Sequence, residues 1–499
     1  MDLLSFFQRL NKQGVKLVLN NGSLNVKSNK RVDQQLLLEI KSNKRSIIEY
    51  LKKYQGENAA ELQEKYQCKN TSRTLLEKLS PFNKNNVEKI PLSFNQDRLW
   101  FLDQLEGTLA YHLPTVISLE GSLDIATLEK SLKTIVSRHE VLRTNLKAAE
   151  GIGYQQIVSE ENWSLDQIKV TEETIKTTLQ DYINIPFDLS NDYKLRACLY
   201  HLRDEKYVLA CVFHHIASDG WSSNILVGEL VELYGSIRFE RKTELPELTL
   251  QYSDYSIWQR KYIKGDVLES QLSYWEEKLK GVSTLSLPTD YPRSSIQSIE
   301  GSSIFLELDL ELSSTIRSIC QKEGVTLFMF MLSVFKVLLS RYSGQDDISV
   351  GTPIANRTQS DLEGMIGFFA NTLVLRSDLG GSPSFIELLS RIKETTLEGY
   401  DHQLVPFDKV VERVVSRRDI GINPLFQVMF VLQNASIMSM LNEEKLDGIA
   451  ISNYELDVFT SQFDLMFSAK EHSEGIAIHI EYRTALFKEE TIARIAGHF

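Results

Sequence analysis

Cysteine is scarce. The four residues, Cys68, Cys198, Cys211 and Cys320, are scattered through 499 positions with no C-x-x-C pair, which argues against a disulfide framework and a zinc site and leaves reduced thiols. Long apolar runs are missing as well. The longest, such as Val208–Phe213 and Leu327–Leu332, fall far short of the ~20 residues a membrane-spanning helix needs. The first seven residues carry no positive lead and no small-residue cleavage site, so they do not read as a secretory signal, and a cytoplasmic protein is expected. Positive charge is not in excess: 55 basic against 67 acidic side chains give −12, which disfavours a nucleic-acid backbone as the main partner. Neither a Walker loop, a dinucleotide glycine fingerprint nor a G-x-S-x-G elbow occurs, and nucleotide or serine-hydrolase chemistry has no local support. There is no repeat of solenoid length.

What is present is enough for two to four globular domains at ~100–200 residues each. Residues 1–54 hold eleven Lys/Arg against four acids, a local +7 inside an acidic chain. Their pattern is helix, hairpin, helix, helix: Leu3, Phe6, Phe7 and Leu10 on one helical face, two strands flanking Asn20-Asn21-Gly22, then Asp33–Ile40 and Asn43–Leu51. Asn-Gly supplies the positive φ angles that a tight hairpin requires. From Gly56 to about Glu88 the chain turns polar and reads as a linker. Beyond Ile90 strands and helices alternate, as expected of α/β or α+β lobes. The break between lobes is expected in Leu287–Ser298, where Pro288, Asp290, Pro292 and Ser294 interrupt the pattern.

The sharpest local feature is Phe213-His214-His215-Ile216-Ala217-Ser218-Asp219-Gly220-Trp221-Ser222. It falls between an apolar strand and an apolar-periodic helix through Ile225, Leu226, Leu230 and Leu233, with Ser222 expected as the cap. Paired imidazoles, an acid four residues later and a glycine offer a near-neutral base, a charge to pin the loop and an unobstructed backbone N–H. A satisfied core or surface histidine pair fits the same spacing. Adjacent strand residues point to opposite faces, so only one of the two can enter a given cavity, which weakens a metal reading.

From about Pro91 to Phe499 the sequence resembles a condensation domain of nonribosomal peptide synthetases, through seven motifs in order. They are Leu92–Leu102, Arg138–Thr144, His214–Ser222, Tyr252–Trp258, Ile366–Leu373, His402–Asp408 and Arg418–Leu425. Gln96-Asp97-Arg98-Leu99-Trp100 and Gly367-Phe368-Phe369-Ala370-Asn371-Thr372-Leu373 resemble the subtype that joins an L-donor to an L-acceptor. Asn95, Ala370, Leu404 and Ile420-Gly421-Ile422 depart from the usual pattern, none of them in the His motif. Residues 1–54 resemble the tubulysin-type N-terminal docking domain. Leu379-Gly380-Gly381-Ser382-Pro383-Ser384 looks like the start of a carrier-protein site, but proline holds the place of the modified serine, so it reads as a loop.

The resemblance implies an α/β (α+β) fold of two chloramphenicol-acetyltransferase-like lobes in a V with a central tunnel, preceded by a small helix-hairpin-helix-helix docking domain. The expected divisions are 1–55 docking, 56–88 linker, 89–285 first lobe and 286–499 second lobe. Donor and acceptor thioesters are expected on the 4'-phosphopantetheine arms of upstream and downstream carrier domains, with no cofactor and no metal bound by this chain itself. The implied site has His215 at the tunnel centre as base or positioner, with His214 beside it. Asp219 is expected to pair with Arg357, Gly220 to line the reaction centre, and Arg138, His139 and Arg143 to serve structurally or as tunnel wall. The docking surface is expected on Lys16, Leu17, Val18, Leu24, Val26, Lys27, Lys30 and Arg31, facing an acidic C-terminal tail of the upstream synthetase. Neither a nucleic acid nor a membrane partner is expected. An epimerisation domain shares the fold and the His pair but should carry different later motifs; a heterocyclisation domain should have aspartates at 214 and 215. A non-catalytic recruitment scaffold is the remaining alternative.

Overall fold

The computed structural model describes residues 15–20, 23–28, 77–83, 88–106, 109–294, 298–415, 422–433, 448–454 and 461–499, in two units divided between Glu77 and Lys78. In the first unit β1 (Val15–Asn20) and β2 (Ser23–Ser28) pair antiparallel. The register sets Lys16 opposite Lys27, Leu17 opposite Val26, Val18 opposite Asn25 and Leu19 opposite Leu24. The helices expected around this hairpin, with Lys30 and Arg31, lie outside the described residues.

The second unit holds two hydrophobic cores. Around the first, β4 (His112–Glu120), β8 (Leu195–Arg203) and β9 (Lys206–His214) form the middle of a five-stranded sheet, with β7 (Asp166–Lys169) at one edge. Every residue from Val208 to His214 is buried, which is why that strand reads as a continuous run rather than an alternation. Helix α2 (Ile125–Arg138), which follows α1 (Phe94–Glu106), starts where the Asp124 carboxylate accepts from Thr127 N–H at 3.1 Å, and buries Leu128, Leu132, Ile135 and Val136 at helical spacing. A small sheet of β3 (Ile90–Pro91), β5 (Thr144–Ala149) and β6 (Ile152–Ile157) completes this lobe with α3 (Ile175–Ile183), α4 (Gly220–Arg238) and α5 (Tyr252–Tyr262).

Around the second core lies a six-stranded sheet in the order β10, β16, β15, β13, β11, β12. Its strands are β10 (Gly301–Leu308), β11 (Asp347–Ile354), β12 (Asn371–Asp378), β13 (Val428–Gln433), β15 (Leu465–His472) and β16 (Gly475–Arg483). One face packs against α7 (Leu310–Glu323), α8 (Leu327–Ser343), α9 (Phe385–Asp401) and α11 (Glu489–His498), with α6 (Gly265–Leu279) and α10 (Phe407–Val414) on the same core. Among the described residues no single helix is long and apolar enough to cross a membrane; α7 and α8 qualify only as a pair bent by 105°. The apolar surface of α8 is spent on the core, where Leu332, Phe335 and Leu339 are buried.

Two stretches of the later chain belong to the first lobe. Leu362, Met365, Ile366 and Phe369 are buried in its core. The strand β14 (Ala450–Asn453) pairs antiparallel with β4 and forms the other edge of the five-stranded sheet.

Two expected boundaries shift. Leu79 is buried in the first core and its N–H donates to Gln359 Oε1 at 2.9 Å, so the end of the polar stretch 56–88 already belongs to the fold. Leu272, Trp275 and Leu279 of α6 lie in the second core, while Trp258 and Tyr262 lie in or against the first. Core membership therefore changes between Tyr262 and Leu268, before the proline-rich break, because α6 buries its apolar face against the second lobe.

Candidate functional site

The strand β9 ends at His214, and a single turn, His215–Ala217, leads into α4. His214 caps that turn: its Nδ1 accepts from Ile216 N–H at 3.0 Å. The ring is fully buried, edge-on to His112 and Phe187 with centroids 5.9 and 5.6 Å away. Burial holds its pKa well below the usual imidazole value, helped by His112, Lys194, His215 and Arg196. A proton on Nδ1 would abolish the cap.

His215 points the other way, into a cavity of about 1480 Å³ lined from both lobes, among others by Arg98, Phe101, Tyr111, Phe368, Asn371, Met429 and Met466. His215 Nδ1 lies 2.7 Å from Ser218 O. A carbonyl only accepts, so Nδ1 carries the proton and Nε2 holds the lone pair. Phe368 covers the imidazole with its ring centroid 4.3 Å away, and Tyr111 stands at 6.5 Å. Burial depresses the His215 pKa; the Ser218 hydrogen bond and the Asp219 charge oppose this, and Arg98 adds to it. The outcome is a neutral imidazole whose basic nitrogen opens on the cavity.

Asp219 is the N-cap of α4. The sequence pattern places Ser222 there, but Ser222 sits at the third helical position and completes a reciprocal capping box. The helix starts earlier because the aspartate carboxylate takes up the donors of its first turn: Asp219 Oδ1 accepts from Ser222 N–H and Oγ at 3.0 and 2.8 Å. The same carboxylate accepts two bonds from Arg357, at 2.9 and 3.1 Å, and the N–H groups of Phe369 and Ala370, at 3.1 and 3.2 Å. One carboxylate thus ties the His turn to the segment that carries Phe368. Tyr252 holds that segment from behind, donating to Phe368 O at 2.8 Å. A Cβ on Gly367 would come within 2.3 Å of the Tyr252 ring, so only glycine permits this approach.

Of the site residues expected from sequence, only His215 lines the cavity; His214, Asp219 and Gly220 stand behind it. Gly220 is the first residue of α4, exposed, with nothing within 4 Å of an added Cβ. Arg138 and Arg143 are not tunnel wall. Arg138 grips the Glu229 carboxylate at 3.0 and 3.1 Å, and Arg143 donates to Val158 O at 2.7 Å. His139 donates through Nε2 to Glu229 at 3.1 Å and accepts at Nδ1 from Ile366 N–H at 3.3 Å, joining α4 to the inserted segment. Sequence reading assigns no role to Phe368, Tyr252 or Glu229. The first two lie within noted motifs; Glu229 has no local signal, being one of two acids on a largely apolar helix.

Residues 86–499 match the family model of the condensation domain, and residues 4–53 that of the TubC N-terminal docking domain. One of the linear gramicidin synthase proteins of Brevibacillus parabrevis is 44% identical over 421 residues, 82% of this chain and 8% of that protein. Bacitracin synthase 3 of Bacillus licheniformis is 39% identical over 410 residues, 82% of this chain and 6% of that protein. The chain therefore spans less than a tenth of the length of either relative. Among solved structures it is similar to the X-domain from teicoplanin biosynthesis, with TM-score 0.75 and 28% identity over 84% of this chain and 95% of the other. The first condensation domain of the CDA synthetase has the same fold, with TM-score 0.68 and 16% identity over 83% and 96% of the two chains.

Proposed function

Because the chain belongs to the condensation-domain family, we propose that it forms an amide bond between a donor acyl or peptidyl thioester and the α-amine of an aminoacyl thioester. The two substrates arrive on the phosphopantetheine arms of an upstream and a downstream carrier domain. The observation that carries this reading is His215, whose Nδ1 is committed to Ser218 while Nε2 faces the cavity. In the reaction the amine nitrogen attacks the thioester carbon, the C–N bond forms and the C–S bond breaks. One proton passes from the amine to Nε2 and then to the leaving sulfur. A base in this place contributes ~10²–10⁴-fold. Holding two tethered reactants at attack distance supplies ~7–11 kcal/mol, so orienting the amine is the larger part of the role of His215.

Asp219, Arg357, Arg138 and Arg143 act on the loop and the core rather than on substrate. Phe101, which lines the cavity, and Leu105, one helical turn further along α1, are both exposed and suit the apolar face of a carrier domain. For the N-terminal module we assign an acidic tail of the upstream synthetase as partner. Lys16 and Lys27 are partners in the hairpin register, and like charges at directly opposed strand positions are destabilising, a cost an anion offsets. A cytoplasmic location fits the free, buried Cys198, Cys211 and Cys320.

The deciding experiment loads acyl donors on the upstream carrier and aminoacyl groups on the downstream one and follows product by intact-protein mass spectrometry. Product from wild type but not from His215→Ala is expected. Recruitment without catalysis is the second reading, raised by a solved complex of the teicoplanin X-domain with OxyB; wild type without product under all loadings would favour it.

A further inference from the structure

The face of the second-lobe sheet turned away from its helices carries a group of side chains that the reaction does not use. In the pairing of β10 with β16, Ser303 stands opposite Glu481 and Phe305 opposite His479. The intervening Ile304, Leu306, Ile478 and Ile480 pack in the core, so by strand alternation these four share the other face. Phe305 is 77% exposed, yet its ring is stacked on His479 with centroids 4.6 Å apart and planes 22° apart. His479 Nδ1 lies 3.5 Å from Glu481 Oε1. His479 Nε2 and Ser303 Oγ are buried and find no hydrogen-bond partner among the described residues. Unpaired buried polar atoms beside an exposed, pre-stacked aromatic ring describe a recess with its interactions unspent. Burial pushes the Glu481 carboxyl up to about 7 and lowers the His479 imidazole, so the recess offers hydrogen bonds more than net charge.

This recess shares a sheet face with residues that line the reaction cavity. On β15, Met466 lies opposite Glu481 and Ser468 opposite His479; on β13, Met429 lies opposite Met466. Met466 and Met429 both line the cavity, so one sheet face runs from the cavity to Phe305.

We infer that the β10–β16 recess is a distal subsite for a long peptidyl donor, whose amides bond to Ser303, His479 and Glu481 and one of whose side chains packs on Phe305. It rests on the condensation reading above, in which the acceptor brings one aminoacyl unit and only the donor is long. From β11, whose Pro353 lines the cavity, to β10 there are four inter-strand steps, about 19 Å at the usual strand spacing. An extended chain covers that distance in about five to six residues. Among the described residues no strand pairs with the outer edge of β10, and its main-chain groups suit an extended peptide backbone.

The test compares kcat/KM for a single aminoacyl donor and an octapeptidyl donor, each on the upstream carrier. Phe305→Ala should lower the octapeptidyl value about 3- to 10-fold, the range of one lost aromatic contact, and leave the aminoacyl value unchanged; Phe305→Tyr should restore it. Glu481→Gln should retain the binding that Glu481→Ala loses. Equal losses with both donors, or no loss with the long one, overturn the subsite. Wild type that condenses neither donor overturns the reading beneath it, an outcome separate from loss of length discrimination alone.

Discussion

Arg357 meets Asp219 through paired contacts of 2.9 and 3.1 Å, both side chains only 2% exposed, and so ties the loop after β11 to the first turn of α4. Removing one partner of a buried pair costs about 3–5 kcal/mol because the other charge is left alone. Asp219 also accepts from Ser222, Phe369 and Ala370, so Asp219→Ala should destabilise more than Arg357→Ala. The double variant should lose less than the sum of the singles. Chemical denaturation of the four proteins measures this, and strictly additive losses would count against the pair as a unit.

His215→Ala should fold like wild type and lose about 10²–10⁴-fold in single-turnover condensation. The active form is the neutral imidazole, and its pKa is depressed by burial, so the acid limb of the pH profile should lie below the ordinary histidine value. Activity holds above that limb and falls as pH drops through it. Phe368→Ala uncovers the ring and should move the limb upward; a profile unchanged by Phe368→Ala would show that the aromatic cover does not set the protonation of His215.

His214 should be replaceable only by a side chain that still accepts from Ile216 N–H. His214→Asn keeps an acceptor and should retain more activity than His214→Phe, which fills the space without one; restoring the cap is worth about 0.5–2 kcal/mol. Equal activity and thermal stability in both variants would remove the cap from the account.

Lys336 is buried on α8 with its ammonium donating to Leu375 O and Ser377 Oγ at 2.6 and 2.7 Å, and burial lowers its pKa to about 7. Lys194 is lowered to about 7 for the same reason. An unfolded lysine titrates near 10.4, so between about pH 7 and 10 the unfolded chain binds more protons at these two side chains, and their contribution to stability rises with pH. Lys336→Met should flatten that rise. Denaturation midpoints at several pH values read it, and a slope unaltered by the substitution would contradict the assignment.

In the N-terminal hairpin, Lys16→Glu and Lys27→Glu together should weaken binding of an acidic upstream tail and reduce its salt dependence, with the association rate most affected. Titration of the tail onto the full chain at low and high salt reads both. Unchanged affinity at low salt would exclude charge recognition by this strand pair.

The centre of the first lobe was legible because apolar spacing and turn chemistry point the same way: the Val208–Phe213 run is the buried body of β9, and the helix through Ile225, Leu226, Leu230 and Leu233 is α4. The His motif was legible for the same reason, being a local arrangement between a strand and a helix. What escaped depends on contacts far apart in the chain. Nothing near Leu79 announces that it is buried against a lobe beginning ten residues later, and nothing near Glu229 announces Arg138 and His139. The displaced helix cap has the same origin, since Arg357 and the 369–370 backbone make Asp219 the better anchor.

The strand β14, residues 450–453, closes an edge of the sheet whose neighbour β4 is residues 112–120. During synthesis β4 leaves the ribosome long before its partner exists. At roughly 5–20 residues per second the wait is on the order of tens of seconds, with backbone groups open to pairing with a neighbouring nascent chain on the same message. The first lobe made alone never receives that strand, nor Ile366 and Phe369 in its core. Recombination of such chains by cutting between the lobes should therefore yield insoluble halves, and a productive exchange point lies outside the span from 78 to 499.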